Sequence, residues 1–130
     1  MIFIDSSFFI AIVNKNDNWH NDSVKIAKRI ADSEKIVSNL IISEVITSIN
    51  TLLGGKLAKL IYDNIKDNYT IVNENRNLYD NSIFKLINFD GTLSFTDCLS
   101  LQIMQEMGIN QIVSFDSDFD KINKIKRIYR

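Results

Sequence analysis

The 130-residue chain is short of several things, and each shortage excludes a class of protein. Cys98 is the only cysteine, so neither an internal disulfide nor a cysteine-rich zinc site can form. His20 is the only histidine, and a zinc centre of the usual kind needs more soft or imidazole donors. No apolar run approaches the roughly 20 residues that a membrane-spanning helix requires. The opening Met1-Ile2-Phe3-Ile4 meets an acid at Asp5, without the basic start and long apolar middle of a signal peptide. Together these shortages predict a cytoplasmic protein with no membrane attachment. Excess positive charge is also missing. The formal net charge is −1, whereas a protein that simply coats nucleic acid is expected to be basic. Any RNA-directed function must therefore rest on a localised site, with bound cations supplying part of the positive charge. The lack of proline, beside abundant isoleucine, asparagine and lysine, reads as the codon bias of an AT-rich genome and carries no mechanism.

What is present is ordinary for a globular chain: 45% hydrophobic and 24% charged residues, with a length that fits one domain over residues 1–130. Ile2-Phe3-Ile4 reads as a buried strand, closed by Asp5-Ser6-Ser7 at a helix start. A helix capped by Asn21 or Asp22 repeats Val24, Ala27, Ile30 and Ala31. Lys35-Ile36-Val37-Ser38 is a second strand. From Leu40 to Leu53 one apolar stripe collects Ile41, Ile42, Val45, Ile46, Ile49, Leu52 and Leu53, and Gly54-Gly55 stops that helix. Lys56 to Asn68 gives another helix, and Tyr69-Thr70-Ile71-Val72 a third strand. A helix from Leu78 to Asn88 ends at the turn signal Asp90-Gly91. Ser94-Phe95-Thr96-Asp97 is a capping-box pattern opening a helix that runs to Gly108. Gln111-Ile112-Val113-Ser114 is a fourth strand, and Ile125 to Tyr129 a last edge strand. This alternation predicts an α/β fold with a central parallel sheet of four or five strands flanked by helices.

In such sheets ligands bind beyond the carboxyl ends of strands, where the strand order reverses. Two strands end alike, in an apolar run followed by aspartate: Ile2-Phe3-Ile4-Asp5 and Ile112-Val113-Ser114-Phe115-Asp116. As neighbours they would aim Asp5 and Asp116 into one crevice; singly, either aspartate also suits a cap or turn. Asp97 shares a helical face with Leu101 and Met104, so its carboxylate points inward, and a buried charge needs a partner or a metal. Its capping role is compatible with that. Glu44 borders the apolar stripe of its helix, with Ser48 and Thr51 along the same line. Asp118 is a candidate outer ligand and Asp120 a solvated acid. Three or four gathered carboxylates repel one another unless cations bind, and hard oxygen donors suit Mg²⁺ or Mn²⁺. A pair of such ions about 4 Å apart can activate a water and stabilise the leaving oxygen of a phosphodiester.

At these residues the chain resembles the PIN-domain family over nearly its whole length, and more narrowly the VapC-type toxin nucleases. Ile4-Asp5-Ser6-Ser7-Phe8-Phe9-Ile10-Ala11 is similar to the family's opening strand and aspartate. Glu44 lies in the helix where the family carries its glutamate. Leu93-Ser94-Phe95-Thr96-Asp97-Cys98-Leu99 resembles its third acidic motif, and Ile112-Val113-Ser114-Phe115-Asp116-Ser117-Asp118-Phe119 its fourth, with Ser114 where threonine is common. Asn18-Trp19-His20 looks like a stretch often found before the second helix, with a structural role. The resemblance implies a three-layer PIN-like domain and a Mg²⁺- or Mn²⁺-dependent endoribonuclease. Asp5, Glu44, Asp97 and Asp116 would be its catalytic ligands, and Ser6 and Ser114 would orient ligands or water. It also implies a homodimer, with its surface near Gly54-Gly55, and an antitoxin whose tail enters the acidic groove.

Other readings are a PIN nuclease of RNA maturation without an antitoxin, and a non-catalytic domain of flavodoxin or receiver type. A receiver would want two adjacent acids after its first strand, but Ser6 follows Asp5. A dinucleotide-binding fold would want a glycine-rich loop after a strand, and none is present. The basic end, Lys121, Lys124, Lys126, Arg127 and Arg130, reads either as a solvated tail or as contacts for RNA phosphates.

Overall fold

A computed structural model describes residues 1–130. Its elements run β1 (Ile2–Ile4), α1 (Ser6–Val13), α2 (His20–Arg29), β2 (Lys35–Ser38), α3 (Asn39–Leu53) and α4 (Gly55–Asn68). Then come β3 (Thr70–Val72), α5 (Arg76–Phe89), α6 (Phe95–Met107), β4 (Gln111–Val113), a 3-10 turn over Ser117–Lys121 and β5 (Lys126–Ile128). All five strands pair in parallel, in the order β3-β2-β1-β4-β5. β1 is central, so all three of its residues are buried, which explains its unbroken apolar run. The chain builds outward from β1 through β2 to β3, then returns to lay β4 on the other side of β1. The order therefore reverses between β1 and β4, and the carboxyl ends of these two strands are where such a sheet places its ligands. A flavodoxin-like sheet has a different order, so that reading fails on topology.

Local chemistry sets the ends of the helices around the sheet. The Ser38 hydroxyl accepts the Ile41 amide at the start of α3, and the Glu74 carboxylate accepts the Leu40 amide. Gly54, at φ +95° and ψ 165°, lets α3 pass into α4 with no intervening loop. The capping box at α6 forms in full. The Asp97 amide donates to Ser94 Oγ at 3.1 Å, and the Ser94 amide donates to Asp97 Oδ2 at 3.2 Å. Every residue of α6 from Cys98 to Met104 is buried, so it is the most deeply packed helix.

Several boundaries differ by a residue or more from the sequence expectation, and three are instructive. α2 begins at His20 with Trp19 in the cap position and no side-chain cap, so neither Asn21 nor Asp22 caps it. His20 Nδ1 instead donates to the Ala11 carbonyl at 2.8 Å, and that bond orients the helix start. α5 begins at Arg76, earlier than Leu78, because Asn75 accepts the Leu78 amide. β5 does form, over Lys126–Ile128, although only Ile128 of its residues is fully buried. No helix is long and apolar enough to cross a membrane.

Candidate active site

Asp5 follows β1 at the point of reversal and is buried. It occupies the cap position of α1 but makes no side-chain capping bond of the usual kind. Its Oδ2 instead accepts two hydroxyls, from Ser114 at 2.7 Å and from Ser7 at 2.9 Å. Each serine oxygen in turn accepts an amide from the chain leaving β4. Phe115 donates to Ser7 Oγ and Asp116 to Ser114 Oγ, both at 3.0 Å. The two strand ends are thus laced together through Asp5. Burial is the largest influence on Asp5 and raises its pKa; the Ser114 and Ser7 hydroxyls and the Ser6 amide oppose it, and Glu44 adds repulsion.

Asp97 reaches the same region from the first turn of α6, half-buried above Leu101 and Met104. Its pKa is pushed up to about 6, first by burial, with repulsion from Asp5 and Asp116 adding to it. Asp116 is half-buried, and its Oδ1 accepts the Asp118 amide at 2.9 Å, so it also shapes the turn. Glu44 lies on the exposed side of α3. Asp5 therefore feels Glu44, and Asp97 feels Asp5 and Asp116, which brings the four acids into one electrostatic neighbourhood. None of the four forms a salt bridge. Asp118 is paired with Lys121 at 3.0 Å; Asp120 is exposed, as expected, and pairs with Arg127 at 2.8 Å.

Two features of the site lay outside the sequence reading. The second hydroxyl on Asp5 belongs to Ser7; Ser6 contributes its backbone amide and no side-chain hydrogen bond. Arg127 does not belong to a solvated basic tail. Its side chain is 7% exposed, gripped by both oxygens of Asp120, and it donates to the Ser114 carbonyl at 3.2 Å. The largest concavity, about 530 Å³, lies at the amino ends of β4 and β5 between Phe89, Met104 and Ile122. It contains none of the four acids, which lie at the opposite, carboxyl ends of the strands.

No three of the carboxylates stand close enough to chelate one ion among themselves. Mg²⁺ does not demand that, since it usually keeps several waters and takes one or two carboxylates together with substrate phosphates. The donor set is all oxygen, buried or half-buried at Asp5, Asp97 and Asp116, with no lysine or arginine in salt-bridge contact; Arg127, which feels Asp116, is already held by Asp120. These residues fit a hard divalent cation.

A family model described as the PIN domain matches residues 2–125. The chain belongs to the PIN-domain family. Several solved structures share this PIN fold. The toxin VapC20 of Mycobacterium tuberculosis, described as cleaving the sarcin-ricin loop, is similar at 25% identity and TM-score 0.79, over 92% of this chain and 93% of that one. A chain of a toxin–antitoxin complex from Klebsiella pneumoniae matches with TM-score 0.76 at 12% identity, over 100% of this chain and 99% of that one. A chain of VapBC2 from Rickettsia felis, solved with a DNA fragment from its promoter, matches with TM-score 0.72 at 12% identity, over 98% and 97%. No curated protein matches the chain by sequence. For this PIN domain the receiver-like alternative is set aside by family and strand order alike.

Proposed function

We propose that this PIN domain, as one unit over residues 1–130, is a divalent-metal-dependent endoribonuclease and the toxin of a toxin–antitoxin pair. Asp5, Glu44, Asp97 and Asp116 are its active acids, with Asp118 as an outer ligand. One observation carries the reading. Mutually repelling carboxylates, none of the four in a salt bridge, gather where the strand order reverses, and burial and neighbours push Asp97 up to about 6. Asp5, Asp97, Asp116 and Glu44 would hold Mg²⁺ or Mn²⁺, which when bound supplies an activated water and offsets charge on the scissile phosphate. Ser7 and Ser114 orient Asp5 for that task, and the Ser94 amide orients Asp97.

Family membership and the VapC-type neighbours support the RNA substrate and the antitoxin. The net charge of −1 is consistent with a local cation-filled site in place of a basic coat. Exposed apolar side chains suit protein partners. Leu52 and Leu53 precede the Gly54 corner with Leu60 beyond it, a patch that suits the surface of a homodimer, and Ile83, Phe84 and Ile87 form a second stripe on α5.

The purified protein is expected to cleave RNA in Mg²⁺ or Mn²⁺ and to stop in excess chelator. Asp97→Asn is expected to abolish cleavage with the circular dichroism spectrum unchanged. Undiminished cleavage in chelator would sink the metal mechanism, and near-normal turnover by Asp97→Asn would reduce Asp97 to a helix cap.

A further inference from the structure

Trp19 is the only tryptophan in the chain, and it sits at the start of α2 with 38% of its surface exposed. Its indole stacks on the Phe115 ring, with centroids 4.9 Å apart and planes within 9°. Tyr129 meets the indole edge-on, at 6.5 Å and 86°. The Arg127 guanidinium lies 3.8 Å over the Tyr129 ring, and the Arg130 guanidinium 5.2 Å from it. Aromatic rings backed by guanidinium groups form one continuous surface here.

That surface is rigidly tied to the acidic site. Phe115 stands between Ser114 and Asp116, and its amide is bonded to Ser7 Oγ, which is bonded to Asp5. The Trp19 amide donates to Asp17 Oδ1 at 2.8 Å, and His20 anchors the same turn to α1. The indole is thus held before anything binds, at low entropic cost. Closing the α1–α2 loop would be served by burying the ring; here Phe115 covers one face and over a third of the side chain stays in water.

We propose that Trp19, backed by Phe115 and Tyr129, is a stacking platform for an unpaired RNA base next to the scissile phosphate. The proposal rests on the ribonuclease reading and adds to it a base-binding subsite, fitted to an unpaired base in a single strand or a loop. Single strands are gripped by aromatic faces with nearby arginine, with little dependence on base identity. Arg127 acts as a positioning residue. Its charge is neutralised by Asp120, and it fixes Tyr129 and the Ser114 carbonyl.

As the sole tryptophan, Trp19 reports on its own occupancy. A short single-stranded oligoribonucleotide is titrated into the Asp97→Asn variant in Mg²⁺, beside the same strand made abasic at every position. The expected result is saturable quenching of tryptophan fluorescence by the base-bearing strand, with at least tenfold weaker quenching by the abasic one. In cleavage assays Trp19→Ala is expected to raise KM about tenfold with kcat within about threefold, and Trp19→Phe to restore most of the loss. Equal quenching by both strands, or none while the wild-type protein cleaves the same RNA, overturns the platform and leaves the ribonuclease reading standing. Neither binding nor cleavage of any RNA overturns both.

Discussion

Ser7 and Ser114 each carry one hydroxyl proton, and both protons go to Oδ2 of Asp5. Each hydroxyl oxygen then accepts an amide from the strand-end turn, so its hydrogen-bonding capacity is used in both directions. Ser114→Ala would leave the buried Asp5 one donor short and the Asp116 amide without an acceptor. The expected cost is about 1–3 kcal/mol of stability, with a roughly 10- to 100-fold loss of cleavage. Because both serines serve one oxygen, Ser7→Ala and Ser114→Ala should couple in a double-mutant cycle, by about 0.5–3 kcal/mol. Denaturant unfolding of the four proteins measures this, and strict additivity would show that the hydroxyls act independently. Ser7 could not be picked out from the sequence, since a hydroxyl in the first turn of a helix normally faces its own backbone. Its oxygen partner across the site, Ser114, lies 107 positions away. Asp5, Asp97 and Asp116 were legible because each sits at a signal with a local cause: two strand ends and one capping box.

At the scale of the element, the α3–α4 corner depends on one backbone conformation. Gly54 adopts φ +95° and ψ 165°, a region essentially closed to other residues, and a Cβ there would meet no atom within 4 Å. Gly54→Ala therefore tests conformational strain without a clash. It is expected to cost about 1–3 kcal/mol, seen as a lower denaturation midpoint at constant m-value. No change in midpoint would mean that the corner tolerates a different path. The sequence marked this corner plainly, as it did α3 and α6, because apolar periodicity and caps agree there. β5 was harder to read. Lys126-Arg127-Ile128 has no alternating apolar pattern, and Arg127 is buried only because Asp120 grips it and Tyr129 lies under it. That burial comes from tertiary partners, which leave no periodic trace along the strand. The same holds for Trp19, whose stacking partner Phe115 reaches it across the fold from the turn after β4.

For the whole molecule, gathering acids without a cation sets stability against pH. Asp97 holds its proton in the folded chain up to about 6, against 3.8 for a free side chain, and burial pushes Asp5 the same way. Between these values the native state binds more protons than the unfolded state, so stability falls as pH rises from about 4 to about 6 and stays reduced above. Discounted for the solvent that reaches half-buried Asp97, its share is about 1–2 kcal/mol. Asp97→Asn removes the titrating charge and keeps a carbonyl to accept the Ser94 amide. In chelator the variant is therefore expected to melt a few degrees above the wild type at pH 7.5 and to lose that advantage near pH 4.5. Divalent cation reverses the order. At 100 times its dissociation constant, a bound ion stabilises the native state by about 2.7 kcal/mol, so Mn²⁺ should raise the wild-type melting temperature well beyond that of Asp97→Asn. The gain should shrink as pH falls through about 6, where protons compete for the same oxygens. These melts need no RNA and no partner. A wild-type melting temperature indifferent to Mn²⁺, with no advantage for Asp97→Asn at pH 7.5, would mean that Asp97 is simply a cap and that the acids do not share one field.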